Sequence, residues 1–431
     1  MCKNVVTMGR AAKSAALKMA SLPLAVRNAA LAAIAQELER RSSDILAANQ
    51  TDLAAATDLP APLQKRLRFD GAKLQESLAG LKSLQTLPDP LGVTQRATEL
   101  DKGLELYRVS CPIGVIGVIF ESRPDALVQI SSLCLKSGNA VLLKGGSEAA
   151  NTNRILAEIV HNAAVASGVP EGWLQLLFSR EDVTAMLQLD DCLDLIIPRG
   201  SNAFVRYIMD HTRIPVMGHA DGICHVYVDK AAEVAMAIRL VVDSKTQYVS
   251  VCNAAEHLLV HREIASNFLP PAVEALQAKG VKVIGCPVAR SIVEMKPAAE
   301  DEWDKEYLDY VLSIKVVDSL DEAVEHINAH GSGHTDMIVT DAKDQAAHFF
   351  AAVDSADVFW NCSTRFADGF RFGLGAEVGI STGKLHARGP VGLEGLCSTK
   401  YLLCGNGQVV ADYAEGRSHF THQPLNHPFH I

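Results

Sequence analysis

The strongest constraint on the fold is a regular alternation of short apolar runs and helical segments in the middle of the chain. Apolar runs of strand length occur at residues 114–120, 140–144, 173–178 and 193–197. Helical patterns, such as residues 148–167, separate the runs. This alternation is typical of a parallel sheet whose strands are joined by crossover helices. Ligands of such sheets bind beyond the carboxyl ends of the strands.

The same alternation returns in the second half of the chain, whereas residues 9–85 show only helical periodicity. The second set of predicted strands comprises residues 225–228, 257–260, 281–284, 311–317, 337–340 and 358–360. The sequence therefore predicts an α/β protein with two doubly wound domains. Residues 401–410, which contain the turn Gly405-Asn406-Gly407, predict a hairpin arm, and residues 416–431 predict a loose tail.

Composition narrows the class of protein. The 431 residues include 40 basic and 50 acidic side chains, a net charge of −10, which argues against a general nucleic-acid binder. No apolar run approaches the roughly 20 residues that span a bilayer, so no membrane segment is predicted. The ten cysteines show no paired spacing and are expected to be reduced thiols in the cytoplasm. Residues 1–20 carry only basic charges, as a transit peptide would, but the helical pattern continuing beyond them favours a surface helix.

Phosphate-binding motifs are weak in this sequence. Neither Gly-x-Gly-x-x-Gly after the first strand nor Gly-x4-Gly-Lys-Ser/Thr is present. The best candidate is Lys144-Gly-Gly-Ser147, at the end of a predicted strand and the start of a helix, where a lysine and free N–H groups meet an anion. The glycine-rich run from Gly373 and the letters Gly379-Ile-Ser-Thr-Gly383 are interpreted as loops, because no clean strand precedes either.

Cys252 is the strongest candidate nucleophile. It lies in a polar turn, residues 244–256, which is rich in hydrogen-bonding groups and contains Lys245. On these grounds alone a catalytic and a structural role are equally supported. The pairs His330/His334 and His219/His225 lack convincing zinc spacing, so no metal site is predicted.

Five ordered stretches give the chain a clear resemblance to a known family. They are residues 112–124 (PIGVIGVIFESRP), 136–146 (KSGNAVLLKGG), 244–254 (SKTQYVSVCNA), 331–334 (GSGH), and 372–381 running into 384–390. With these stretches the chain resembles the γ-glutamyl phosphate reductases (glutamate-5-semialdehyde dehydrogenases), a branch of the aldehyde dehydrogenase superfamily. The implied fold is aldehyde-dehydrogenase-like, with two α/β domains and a small β oligomerisation arm.

The resemblance also implies domain boundaries. Residues 1–96, 112–226 and 378–394 would form an NADP-binding domain, and residues 227–377 a catalytic domain that carries the thiol. Residues 97–111 and 395–415 would pair in the arm, and residues 416–431 would form the tail. Because a small arm has little core of its own, a homo-oligomer is expected.

The implied reaction is the NADPH-dependent reduction of L-glutamyl 5-phosphate to glutamate 5-semialdehyde and phosphate, the second step of proline biosynthesis from glutamate. Cys252 matches the nucleophile, which would form a thioester. The matches for NADP(H) are Lys144, Ser147, Ser201 and Glu306. A complex with glutamate 5-kinase is also expected.

Two departures from the wider superfamily bear on the direction of the reaction. Residues 215–222 stand where aldehyde-oxidising members carry a glutamate base and contain no glutamate. Ser122 is nearest the place of an asparagine that binds the oxyanion, and Cys252 N–H could be another donor. The alternatives to this reductase function are a thiol enzyme that oxidises a free aldehyde and a non-catalytic scaffold of the same fold.

The substrate carries a carboxylate, an ammonium and a phosphate, so basic side chains are expected around it. Arg123, Lys245 and Arg365 are the candidates for its anionic groups, since a guanidinium suits carboxylate or phosphate. Salt bridges unrelated to the substrate account for each of these residues equally well.

Overall fold

A computed structural model describes residues 3–59, 61–200, 202–219, 221–374 and 376–430. Its strands, in chain order, are β1 (Thr94–Asp101), β2 (Leu104–Pro112), β3 (Val115–Phe120), β4 (Ala140–Lys144), β5 (Leu174–Leu177), β6 (Leu195–Arg199), β7 (Cys224–Val228), β8 (Ala255–His261), β9 (Lys282–Gly285), β10 (Lys296–Pro297), β11 (Val311–Val317), β12 (Thr335–Val339), β13 (Asp357–Trp360), β14 (Gly379–Ser381), β15 (Gly389–Val391), β16 (Cys397–Cys404) and β17 (Gln423–Pro424).

The helices, in chain order, are α1 (Lys3–Met19), α2 (Leu24–Arg40), α3 (Ser42–Ala55), α4 (Ala61–Leu67), α5 (Gly71–Thr86), α6 (Pro124–Lys136), α7 (Ala150–Ala166), α8 (Arg180–Met186), α9 (Asn202–His211), α10 (Val234–Thr246), α11 (Arg262–Ala278), α12 (Pro287–Ile292), α13 (Leu320–His330), α14 (Lys343–Ala352) and α15 (Val410–Ala414). Among the described helices, none combines the length and apolar character that crossing a bilayer requires.

The first sheet has the strand order β5-β4-β3-β6, with every pair parallel. All residues of β3 are buried, because helices cover both faces of the sheet. Helix α1 packs against β4, and α2 packs against α5 and α7. The helical amino-terminal region therefore completes the core of this sheet rather than forming a separate bundle.

The second sheet has the order β10-β9-β11-β8-β7-β12-β13 and is also parallel. Its centre, β8, is buried along its whole length. The α/β architecture with two parallel sheets, which the alternating pattern predicts, is thus confirmed.

The third sheet is antiparallel, with the order β16-β2-β1-β17. Strand β16 pairs along β2, from Cys397 opposite Pro112 to Cys404 opposite Glu105. The segments expected to form an arm therefore lie in one sheet, although the domain boundaries themselves remain a prediction.

Two expectations for the carboxyl-terminal region differ from the structure. The turn around Gly405 does not lead into a hairpin partner, because β16 pairs with the distant β2 and the short helix α15 follows instead. The segment expected to be a loose tail adds β17 to the edge of β1, and Phe429 packs edge-on against Tyr107 with ring centroids 5.3 Å apart. The aromatic side chain near the chain end fixes the tail to the arm.

Candidate active site

A cavity of about 710 Å³ lies between the first and second sheets. Phe120 and Arg199, the last residues of β3 and β6, line it from one side. Cys252 and Glu306, which precede β8 and β11 in the chain, line it from the other side. The cavity therefore joins the carboxyl ends of the first sheet to the amino ends of the second.

Cys252 lies in the turn between α10 and β8 and is half-buried. Its carbonyl oxygen accepts a hydrogen bond from Cys224 Sγ at 3.1 Å, and the next side chain, Asn253, donates to the carbonyl of Ala367 at 2.7 Å. Gly222 packs directly on the turn: a Cβ at that position would lie 2.4 Å from the Cys252 Cα. The thiol is thus presented to the cavity by a backbone held on several sides.

The side chain of His334 lies within hydrogen-bonding distance of the thiol, with Nε2 3.1 Å from Cys252 Sγ. Its Nδ1 lies 2.7 Å from Thr335 Oγ1, and that hydroxyl lies 3.5 Å from the carboxylate of Asp357. Burial raises the pKa of Asp357 to about 6. If the Thr335 hydroxyl donates to Asp357, it accepts from Nδ1–H, which leaves the Nε2 lone pair directed at the thiol.

His219 approaches the same sulfur from the segment where the superfamily places its glutamate. Its ring packs edge-on against that of His334, with centroids 4.7 Å apart. Nδ1 lies 2.8 Å from the carbonyl oxygen of Ile380, which only accepts, so Nδ1 carries the hydrogen. Burial lowers the pKa of His219, which favours the neutral ring.

Glu306 lines the same side of the cavity as Cys252 and is held by neighbouring groups. Asn202 Nδ2 donates to its carboxylate at 2.6 Å and to Asp221 at 2.8 Å. Burial raises the pKa of Glu306, while the bonds from Asn202 and the Gly222 backbone oppose that rise. A carboxylate fixed in this way can accept hydrogen bonds from sugar hydroxyls.

Two other residues assigned to the cofactor, Lys144 and Ser147, lie around the end of β4. Lys144 is half-buried, burial lowers its pKa, and among the described residues its Nζ makes no hydrogen bond or ion pair. Ser147 is exposed at the start of a short 3-10 helix, Ser147–Ala149. Ser201 lies outside the described residues.

Ser122 does not serve as the second oxyanion donor in this structure. Both its backbone N–H and its hydroxyl donate to the same oxygen of Glu148, at 2.7 and 2.6 Å. The residue has a φ of 42°, in the left-handed region that non-glycine residues rarely adopt. The bonds to Glu148 hold this conformation and occupy both donors of the serine.

The three basic side chains predicted to meet the substrate occupy different places. Arg123 lines the cavity, and burial lowers its pKa. The expectation for Lys245 is wrong, because the side chain is fully buried and its Nζ donates to Glu256 at 2.6 Å, away from the cavity lining. Arg365 is also nearly buried, and its Nε donates to Gln247 at 2.9 Å, yet its charge interacts favourably with that of a Cys252 thiolate.

His334 and His219 are the main functional candidates that residue patterns did not identify. His334 lies 82 residues from Cys252 in the chain, and only the fold brings them together. The one available signal for His334 was its place in the Gly331-Ser-Gly-His334 stretch. For His219 the signal was its place in residues 215–222, the segment that lacks a glutamate.

Comparison with known proteins assigns the chain to one family, both by the family model and by individual relatives. The model of the aldehyde dehydrogenase family matches residues 3–311. A protein of Acetivibrio thermocellus named γ-glutamyl phosphate reductase is 58% identical over 428 residues, covering 99% of both chains. Its namesake in Pelotomaculum thermopropionicum is 58% identical over 426 residues, covering 98% of both.

Comparison with solved structures agrees with the comparison of sequences. The crystal structure of γ-glutamyl phosphate reductase from Thermotoga maritima superposes with a TM-score of 0.92 at 38% identity, covering 94% of this chain and 99% of the other. An acetylating aldehyde dehydrogenase from Geobacillus thermoglucosidasius, 16% identical, shares the fold with a TM-score of 0.66 over 94% of this chain and 97% of the other.

Proposed function

The chain belongs to the aldehyde dehydrogenase family and, within it, to the γ-glutamyl phosphate reductases, and from this premise we propose how its residues reduce L-glutamyl 5-phosphate to glutamate 5-semialdehyde and phosphate. The observation that carries the proposal is the contact of His334 Nε2 with Cys252 Sγ at the wall of a cavity that Glu306 also lines. This reaction is the second step of proline biosynthesis from glutamate.

In the first half of the reaction, His334 accepts the thiol proton at Nε2 and Cys252 attacks the acyl carbon. A bond forms between sulfur and carbon, and the bond from carbon to the phosphate oxygen breaks. Phosphate is a good leaving group, so no strong acid is needed near the site. Covalent attachment divides one difficult conversion into two easier steps.

In the second half, the thioester is reduced. The acyl carbon would receive the hydride that a nicotinamide cofactor supplies when it is bound. The resulting oxyanion collapses to the aldehyde, the carbon–sulfur bond breaks, and His334 returns its proton to the departing sulfur. The backbone N–H of Cys252 would stabilise the oxyanion, since Ser122 is occupied by Glu148.

The residues present fit a nicotinamide dinucleotide. Glu306 lines the cavity near the thiol and would hold the nicotinamide ribose. At the end of β4, Lys144 offers a charge that makes no hydrogen bond or ion pair among the described residues and would meet the adenosine ribose and its phosphate. This supports NADP(H) over NAD(H), with Ser147, at the start of the short helix that follows β4, and Ser201 as further proposed contacts.

The environment of His219 favours reduction over oxidation of a free aldehyde. A water-activating base must be able to hold a proton near neutral pH. His219 occupies the segment of the usual glutamate, and burial lowers its pKa, which makes it a poor base. The thioester is therefore protected from hydrolysis until hydride arrives.

Arg123 and Arg365 remain proposed contacts for anionic groups. Arg123 lines the cavity together with Arg199, and burial, followed by the positive charge of Arg199, lowers the pKa of Arg123. Two guanidinium groups at one wall suit a phosphate or carboxylate. Arg365 would stabilise the Cys252 thiolate through the attraction between their opposite charges.

The arm supports assembly into a homo-oligomer. Tyr401 and Leu403 of β16 are 65% and 58% exposed, and Val410 of α15 is 82% exposed. Apolar side chains presented this way are typical of a contact surface. A cytoplasmic location and a complex with glutamate 5-kinase, which would shield the labile acyl phosphate, complete the proposal.

The reverse reaction tests the assignment. The enzyme is incubated with NADP+ and glutamate 5-semialdehyde, with and without inorganic phosphate, and reduced cofactor is measured by absorbance. We expect a strict requirement for phosphate, since it must attack the thioester. A rate that is equal without phosphate would contradict the acyl-phosphate assignment.

A matched pair of variants tests the nucleophile. Cys252→Ser should fold and bind NADPH but lose turnover, whereas Cys404→Ser, which changes an exposed thiol of the arm, should keep it. Mass spectrometry of trapped enzyme should locate the acyl group on Cys252. An adduct on another residue would overturn the mechanism.

A further inference from the structure

Three soft or borderline metal ligands converge at the catalytic thiol. One ligand atom each of His219, Cys252 and His334 lies within 4.8 Å of the other two. Within the described part of the chain, no other set of three histidine, cysteine or acidic side chains comes this close. The set was invisible in the sequence because the residues are far apart in the chain.

Both histidines are oriented as metal ligands are. His219 Nδ1 donates to the carbonyl of Ile380, so its Nε2 carries the lone pair. His334 Nδ1 contacts Thr335 Oγ1, and its Nε2 faces the sulfur. A ligating histidine nearly always commits its other nitrogen to such an acceptor, which fixes the tautomer before the metal arrives.

The spacing suits a small tetrahedral cation. Zinc bonds of about 2.3 Å to sulfur and about 2.0–2.1 Å to nitrogen put neighbouring ligands about 3.4–3.6 Å apart. The Nε2–Sγ distance of 3.1 Å and the outer limit of 4.8 Å bracket that range, so small side-chain movements suffice. Three protein ligands leave a fourth position open toward the cavity.

We propose that His219, Cys252 and His334 form an inhibitory binding site for Zn²⁺, in which the metal occupies the nucleophile and blocks acylation. Binding replaces the thiol hydrogen by a sulfur–zinc bond and releases one proton, with no change of oxidation state. Sulfur and imidazole nitrogen select Zn²⁺ over the oxygen-seeking Mg²⁺. The inhibitory role rests on the proposed function of Cys252, whereas the binding itself does not.

Metal binding can be read directly, without turnover. The metal-free full-length enzyme, kept reduced with a phosphine, is titrated with Co²⁺ and its absorbance is recorded. We expect one Co²⁺ per chain with a sulfur-to-cobalt charge-transfer band and tetrahedral ligand-field bands. Zn²⁺ should displace the cobalt, and Mg²⁺ should not.

Variants assign the ligands. Cys252→Ser should abolish the charge-transfer band, and His219→Gln should weaken Zn²⁺ affinity at least tenfold in calorimetry. His211→Gln and Cys404→Ser, both at exposed positions, serve as matched controls and should bind as the wild type does. An unchanged band in Cys252→Ser, or equal losses in the controls, would refute the site.

Alkylation connects binding to inhibition. Zn²⁺ should slow the reaction of Cys252 with iodoacetamide at the same concentrations that inhibit reduction, and a chelator should restore both. Inhibition without protection of the thiol would refute the proposed mode. Should Cys252→Ser retain turnover, the assignment of the nucleophile would fail, while the cobalt spectrum would still decide whether the metal site exists.

Discussion

Replacing Gly222 by alanine tests how precisely the nucleophile must be held. The added Cβ would lie 2.4 Å from both the Cα and the carbonyl oxygen of Cys252, whereas ordinary contacts begin at 3.4 Å. One of the two backbone segments must therefore move by about 1 Å, and a displacement of about 1 Å at a reacting group can lower the rate about 100-fold. That factor corresponds to about 2.7 kcal/mol of transition-state stabilisation.

The assay is kcat/KM for the phosphate-dependent reaction, together with the rate of Cys252 alkylation and the melting temperature. Gly71→Ala is the matched control, because nothing lies within 4 Å of a Cβ at that position. We expect Gly222→Ala to lose activity about 100-fold while remaining folded, and the control to keep it. Activity of Gly222→Ala within twofold of the wild type would refute the claim that this glycine positions the thiol.

Three further predictions follow from buried polar groups. His334→Gln should slow single-turnover acylation by about 100-fold or more, and an unchanged rate would exclude a proton-accepting role. Lys245→Met should lower the free energy of unfolding by about 3–5 kcal/mol in urea titrations, because it leaves the Glu256 carboxylate buried without its partner; a second change, Glu256→Leu, should restore much of the loss. Burial lowers the pKa of His326 to about 2 and that of His257 well below its usual value, so both rings bind a proton in the unfolded chain below about pH 6.5 and stay neutral in the folded one. Stability should therefore fall on acidification, by about 2 kcal/mol at pH 5 for His326 and in the same direction for His257. Denaturation curves that do not shift between pH 7 and 5 would contradict this.

The sheets were predictable because buried parallel strands carry continuous apolar runs. Residues 140–144 and 311–317 coincide with observed strands, since both faces of these strands are covered. Strand β16 was anticipated in the arm, but its partner was not local. The neighbouring turn suggested a hairpin, whereas the pairing with β2 was expected only from the family resemblance, because it depends on contacts that local sequence does not encode.

The site was predictable to the extent that its chemistry is local. Cys252 was distinguished by the polar turn around it. Lys245, in the same turn, appeared to be a site residue, but its ion pair with Glu256 depends on burial. The approach of His219 and His334 to the sulfur depends on the packing of separate elements, so no spacing rule could reveal it.

The hydrogen bond between His219 and the carbonyl of Ile380 has a consequence for synthesis of the chain. The two groups are 161 residues apart in the chain. The acceptor, Ile380, lies far beyond the last strand of the first sheet, which ends at Arg199. Domains generally begin to fold from the amino terminus as they emerge from the ribosome. A nascent polypeptide stopped before residue 380 thus already contains its reactive sulfur but lacks the acceptor that orients the imidazole beside it, so the working centre is completed only near the end of translation.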